Sequence, residues 1–247
     1  MTIDTTPTAR RVQRVRHETR RRDVVVARTR QLGANFASIT FAGDALADFR
    51  SDSFDDHIKF FFEGPGGETV ARDYTPRLHD PQSRELTIEF ALHGDGPACD
   101  WARKAAPGAR ATIGGPRSSF VIPADWDWHL LVGDSAALPA IDRRLEELPA
   151  GSRVVVLAQA GDANDERQFR CAADLDARWF RTETELVSAV AAFQPPAGDG
   201  YTWCAGEAAT MKRLRDVLLI DKQLPRECVR VAAYWKRGAS SHHETLD

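Results

Sequence analysis

The chain has 247 residues, 43% of them hydrophobic and 28% charged, with a formal net charge of −3. That length holds one large domain or two ordinary ones around a real core, and the charge balance points away from a nucleic-acid partner. No apolar run approaches the ~20 residues that span a bilayer, and the start, MTIDTTPTARRVQRVRHETRRR, lacks the apolar stretch of a secretory signal, so a cytoplasmic location is expected.

Residues 1–22 form a basic N-terminal extension: Arg10, Arg11, Arg14, Arg16, Arg20, Arg21 and Arg22 crowd it, and Arg28 and Arg30 follow. With no interleaved aromatics for base stacking, it reads as a frayed terminus leading into the solvated face of a first strand. From 23 to 124, short β-rich runs alternate with Gly, Pro and Asp: DVVVARTRQL, FASITFAG, HIKFFFEG, ELTIEFALHG, ARATIGG and SFVIPA. Such spacing predicts an antiparallel barrel or sandwich, interrupted by one helix over 97–106. After Pro123 the rhythm changes. WHLLVGD, RVVVLAQA, ARWFRT, YTWCAGE and VRVAAYW read as buried strands, with helical patterns over 136–149, 183–193 and 207–223. In the last of these, Met211, Leu214, Val217 and Leu218 recur at helical spacing. Strand–helix alternation predicts a parallel sheet with right-handed crossovers over 125–238, followed by a polar tail, 239–247. Its ligand site should lie beyond the strand ends Gly133–Asp134, Gln159–Ala160, Gly206–Glu207 and Trp235–Lys236. The four cysteines are scattered without a C-x-x-C pair, which argues against a disulfide framework or zinc site.

Two segments carry chemistry. In Arg72-Asp73-Tyr74-Thr75-Pro76-Arg77, two guanidinium groups, an aromatic ring and a hydroxyl meet on a proline-stiffened turn. A flavin dinucleotide needs such a set: planar forks for its pyrophosphate, a ring beside the isoalloxazine and a donor at its polar edge. By residue types alone an edge strand with solvent-facing arginines fits equally well. In His93-Gly94-Asp95-Gly96-Pro97-Ala98-Cys99-Asp100-Trp101-Ala102, glycines precede a proline placed to open a helix, whose free N–H groups suit an anion. Taken alone, that segment reads as an ordinary loop-to-helix transition.

Read in order, R-D-Y-T-P-R, H-G-D-G-P-A-x-x-W-A, P-G, G-P-R, W-x-L-L-V-G-D-x-x-A-L-P-A-I, W-x-A-G-E-A and Y-W-K-R-G resemble the siderophore-interacting proteins, NADPH-dependent ferric-siderophore reductases. The resemblance runs from about Val24 to Gly238. It implies a ferredoxin-reductase-like fold, an N-terminal FAD-binding barrel followed by a nucleotide-binding parallel sheet. FAD is the implied cofactor, NADPH or NADH the donor, and a ferric siderophore the substrate; a ferredoxin is a further candidate partner, and a monomer is expected. Arg72, Tyr74, Thr75, Arg77, His93, Gly94, Gly96, Pro97, Ala98 and Trp101 match the flavin-binding positions. Gly133, Asp134, Ala137, Leu138, Pro139, Gly206 and Glu207 match the NAD(P)H-binding positions. Lys59, Arg117 and Lys236 match the basic triad that grips the substrate. Ser118, Ala109, Ala233 and Lys236 depart from the family pattern, the last bearing on substrate grip. Tyr234 and Trp235 are candidates to cover the flavin face, with core packing weighing equally. His57 reads as a strand histidine or as a hydrogen-bonding partner of the substrate or the flavin rim, and His242-His243-Glu244 resembles a fragment of a metal site but reads as a piece of polar tail. The flavin carries the chemistry, so no catalytic acid or base is expected. A flavin reductase with another acceptor (free flavin, quinone or ferredoxin) and a non-catalytic siderophore binder are the alternatives.

Overall fold

The structure, a computed structural model, describes residues 12–92, 96–239 and 244–246. A short strand β1 (Gln13–Arg16) comes first, then β2 (Arg21–Leu32), β3 (Phe36–Ala42), β4 (Ile58–Glu63), β5 (Thr69–Tyr74), β6 (Leu78–Asp80) and β7 (Glu85–Ala91). Helix α1 (Pro97–Lys104), β8 (Arg110–Gly114) and β9 (Ser118–Val121) complete the first half. Seven of these strands form one antiparallel sheet in the order β5-β4-β8-β2-β3-β7-β6. Period-two alternation turns Val24 and Val26 of β2 and Ile58, Phe60 and Phe62 of β4 inward. There they meet Phe41 and Phe90 in an aromatic core that Trp101 of α1 closes, its ring 4.9 Å from Phe60 and 6.0 Å from Phe90. Residues 13–16 are not frayed: β1 pairs antiparallel with β9, register Arg14 to Phe120. The stretch 69–74 forms an edge strand, β5, which the arginine-bearing motif occupies to its end.

The second half holds β10 (Trp128–Gly133), α2 (Leu138–Glu147), β11 (Arg153–Gln159), β12 (Asp174–Phe180), α3 (Glu183–Ala192), β13 (Gly200–Glu207), α4 (Ala208–Asp216), β14 (Val229–Trp235) and β15 (Glu244–Thr245). The sheet order is β12-β11-β10-β13-β14-β15, parallel throughout except the last pair. The chain leaves β10 toward β11 and β12, then crosses back to β13 on the other side. The order therefore reverses between β10 and β13, where a doubly wound sheet opens a crevice. Helix α3 starts in a capping box built by Thr182 and Glu185. Gly200 allows Trp128 to pack across the adjacent strand, since a Cβ there would lie 1.9 Å from the indole ring. This antiparallel sheet followed by a largely parallel one is the ferredoxin-reductase-like layout that the element order predicts.

Buried polar contacts join the halves. Asp55, 2% exposed at its side chain, accepts hydrogen bonds from Trp203 Nε1 (2.9 Å), Arg230 Nε (2.5 Å) and Tyr234 Oη (3.3 Å). Asp165, after β11, receives the Ala34 and Asn35 amides of the β2–β3 turn at 2.9 and 2.8 Å. Helix α2 contributes Arg143, which donates to Ser51 Oγ and to the Pro76 carbonyl. Burial lowers the neighbouring Arg144 guanidinium to about 10, still charged at neutral pH, and it donates to the Pro123 carbonyl at 2.6 Å.

Candidate active site

A cleft of about 740 Å³ opens between the two sheets, within the size range of ligand pockets. Its barrel wall is the end of β5 and the start of α1: Arg72, Tyr74, Thr75, Gly96, Pro97 and Ala98. Its other wall is the carboxyl edge of the parallel sheet, with Asp134, Pro139, Tyr234, Trp235 and Lys236. The topological switch point thus faces the arginine-bearing edge strand.

On the barrel wall the Arg72 guanidinium donates to the Ala71 carbonyl at 2.8 Å and makes no ion pair among the described residues. The Tyr74 ring rests against Phe90, centroids 4.4 Å apart, and stands edge-on to Phe60 at 5.9 Å. Burial pushes the Tyr74 hydroxyl well above the ordinary tyrosine range, so it stays protonated. Gly96 caps α1 and Pro97 occupies its first turn, as the sequence predicts. His93 and Gly94 lie outside the described residues.

Two matched flavin positions sit elsewhere. Arg77 makes a two-pronged pair with Glu146 of α2, both bonds 2.7 Å, and approaches Glu89 at 3.5 Å. Glu89 in turn meets Arg167 at 2.6 Å, and Arg167 reaches Asp142 of α2. Arg77 therefore belongs to an ion network between the halves and does not line the cleft. Trp101 is a core side chain stacked among phenylalanines.

At the switch point Asp134 is a hub. Its Oδ1 accepts from the Ala136 amide (2.9 Å), and its Oδ2 from the Glu207 amide and Trp235 Nε1, both at 2.8 Å. Gly206 permits this approach, because a Cβ there would lie 2.6 Å from Asp134 Oδ2. Gly133 has a similar reason: a Cβ would come within 2.4 Å of Ala137 Cβ. Ala137 and Leu138 are fully buried. Glu207 caps α4 through the Ala209 and Thr210 amides. Burial works against its ionisation, yet the Thr210, Arg237 and Ala209 amides hold its carboxyl below the usual range. Of the nucleotide positions, then, Asp134 and Pro139 line the cleft; the others shape it from behind.

Of the three residues matched to the basic triad, one lines the cleft and two lie off it. Lys236 lines the cleft. Lys59 pairs with Asp73 at 2.7 Å and lies opposite Gly114 of β8. Arg117 is exposed beyond the Gly115–Pro116 turn, which passes the backbone of His57, itself a cleft residue. Trp235 is 39% exposed and tied to Asp134, whereas the Tyr234 hydroxyl is tied to Asp55. The sequence reading passed over Ser135, Ala136, Gly161, Glu183 and Arg237, which also line the cleft. Ser135, Ala136 and Gly161 follow strand ends, a signal the sequence did carry. The Arg237–Glu183 pair (2.6 Å) joins the loop after β14 to the start of α3, positions that carry no such mark. Of the histidine-rich tail, residues 242 and 243 lie outside the described residues; among those described, no group of three His, Cys, Asp or Glu side chains is placed to hold a metal ion.

Comparison with known proteins places both halves of the chain in one family. Residues 126–238 match the family model for siderophore-interacting protein, and residues 25–71 and 65–120 match that for the siderophore-interacting FAD-binding domain. The chain is 36% identical over 253 residues to an NADPH-dependent ferric-chelate reductase of Escherichia coli, covering 92% of this chain and 98% of the relative. It is 29% identical to the ferric vibriobactin reductase of Vibrio cholerae, covering 88% and 90% respectively. A siderophore utilization protein from T. fusca superposes with a TM-score of 0.86 at 31% identity, over 92% of this chain and 98% of that one. With both halves matched and one relative aligned end to end, this chain belongs to the siderophore-interacting protein family.

Proposed function

We propose that the chain uses FAD and NADPH to reduce ferric siderophores, releasing the metal as Fe(II). The observation that carries this reading is the single cleft. One wall offers a guanidinium without a carboxylate partner, an aromatic ring, a hydroxyl and a helix N-terminus, and the other is the switch point of a doubly wound sheet. That donor set fits a flavin dinucleotide: Arg72 and the start of α1 for the pyrophosphate, Tyr74 and Thr75 for the ring and its polar edge. When bound, the flavin supplies the conversion of one hydride, taken from the nicotinamide, into two single electrons for two Fe(III) ions.

The chain's own residues position and select. Trp235, anchored by Asp134, and Tyr234, anchored by Asp55, wall off the cleft and exclude water from it. Asp134, Ser135 and Pro139 receive the donor nucleotide where the strand order reverses. Lys236 attracts the anionic chelate at the mouth, together with Arg117, while Lys59 on the barrel side is paired with Asp73. No side chain needs to move a proton, because reduction alone weakens hard oxygen ligation of the iron. Both walls come from one chain, so a monomer is the proposed unit. The proposed setting is the cytoplasm, where NADPH is at hand; among the described residues no helix is long and apolar enough to cross a membrane.

The direct test is anaerobic turnover of ferric siderophores with NADPH, NADH or reduced ferredoxin, trapping Fe(II), alongside chromatography of heat-released flavin. The expected result is FAD and NADPH-driven Fe(II) release; FMN alone, or no Fe(II) from any donor, would overturn the reading. A second expectation concerns Lys236→Glu, which reverses a charge at the mouth. It should raise KM for a ferric tris-catecholate severalfold at low salt, and the effect should fade as screening shortens to ~8–10 Å near physiological ionic strength. Equal kinetics for variant and wild type at low salt would remove Lys236 from the substrate site.

A further inference from the structure

Lys59 and Asp73 stand directly opposite each other on the β4–β5 pair. Alternation along the strands puts them on the face away from Phe60 and Arg72. Their contact is 2.7 Å between Lys59 Nζ and Asp73 Oδ2, with the lysine side chain 44% exposed and the aspartate 13%. The second oxygen, Asp73 Oδ1, is buried without a hydrogen-bond partner. Asp73 also lines the cleft. The carboxylate is thus set against one cation beside the cleft, while Arg117 and Lys236 form no ion pair among the described residues.

We propose that Asp73 sets the charge preference of the substrate mouth. By neutralising Lys59, it leaves two rather than three unopposed cations of the triad and so weakens the preference for trianionic tris-catecholates relative to ferric complexes of low negative charge. This rests on the ferric-siderophore reading and adds the class of chelate. The lysine–aspartate pair acts toward the substrate as one neutral unit. A trianion feels each unit of charge at the mouth three times over, whereas a neutral trihydroxamate complex feels it little.

The test is steady-state turnover of one ferric tris-catecholate and one neutral ferric trihydroxamate by the FAD-loaded protein. Wild type, Asp73→Asn, Lys59→Met and the double variant are compared at low and high salt. Asp73→Asn should shift the ratio of kcat/KM toward the catecholate by about three- to tenfold at low salt, and the shift should shrink at high salt. Lys59→Met should move the ratio the other way, and the double variant, again neutral at this position, should return close to wild type. A merely structural role for Asp73 would change both substrates in parallel and leave the ratio where it was, which overturns the proposal. So would a double variant well below wild type on the catecholate, because Lys59 would then be touching the chelate rather than serving its partner. Absence of Fe(II) from both chelates with wild-type protein would instead bring down the underlying reading, and this one with it.

Discussion

Asp55→Ala is expected to lower the stability of the protein by about 3–5 kcal/mol, the usual cost of removing one partner from a buried ion pair. The carboxylate lies in the first half of the chain, yet its donors Trp203, Arg230 and Tyr234 lie in the second. Without it the Arg230 guanidinium, 13% exposed and 4.1 Å above the Phe120 ring, would lose this counter-ion. The indole N–H of fully buried Trp203 would lose its acceptor as well. Urea titration of the flavin-free protein, followed by tryptophan fluorescence and by circular dichroism, reads the effect. The two probes should also separate, as the halves lose their coupling and unfold apart. A loss below about 1 kcal/mol would mean that the contact is incidental.

Arg72→Ala should weaken FAD binding roughly ten- to a hundredfold, the equivalent of a charge-assisted hydrogen bond worth about 1.5–3 kcal/mol. The companion arginine of the same motif should behave differently. Arg77 is held by Glu146 and Glu89 between the halves, so Arg77→Ala should act through the interface and leave flavin affinity much closer to wild type. Flavin titration of the two apo-proteins separates these outcomes. Equal loss of affinity in both variants would place Arg77 in the cofactor site after all, and unchanged affinity in Arg72→Ala would return β5 to the status of a plain edge strand.

This contrast marks the limit of what the sequence discloses. Short β-rich runs punctuated by Gly, Pro and Asp are enough to predict the antiparallel sheet, and strand–helix alternation after Pro123 to predict the parallel one. The strand ends at Asp134 and Trp235 were likewise legible as cleft positions, since an open parallel sheet dictates where its crevice lies. What local pattern does not carry is the choice of partner at long range. Arg72 and Arg77 look alike in sequence, and only the docking of α2, with Glu146 69 residues downstream, tells them apart. Trp101 matches a flavin-binding position through the family resemblance but is drawn into the core by four surrounding aromatic rings. Strand β1 was read as frayed because its partner, β9, lies about a hundred residues away, and charged Arg14 and Arg16 mask a pairing made by backbone alone.

The docking of α2 bears on how such a protein can be recombined. The linker around 122–127 is the natural place to cut, yet Asp142, Arg143, Arg144 and Glu146 all reach back across it or to residues bound to the barrel. A chimera spliced there would present this helix to a foreign barrel, with its arginines and carboxylates facing unmatched groups. Splicing after Pro149 instead carries β10 and α2 along with the barrel and keeps those charged contacts, but the new junction then runs through the parallel sheet, between β10 and its neighbours β11 and β13. Neither cut separates two independently exchangeable parts.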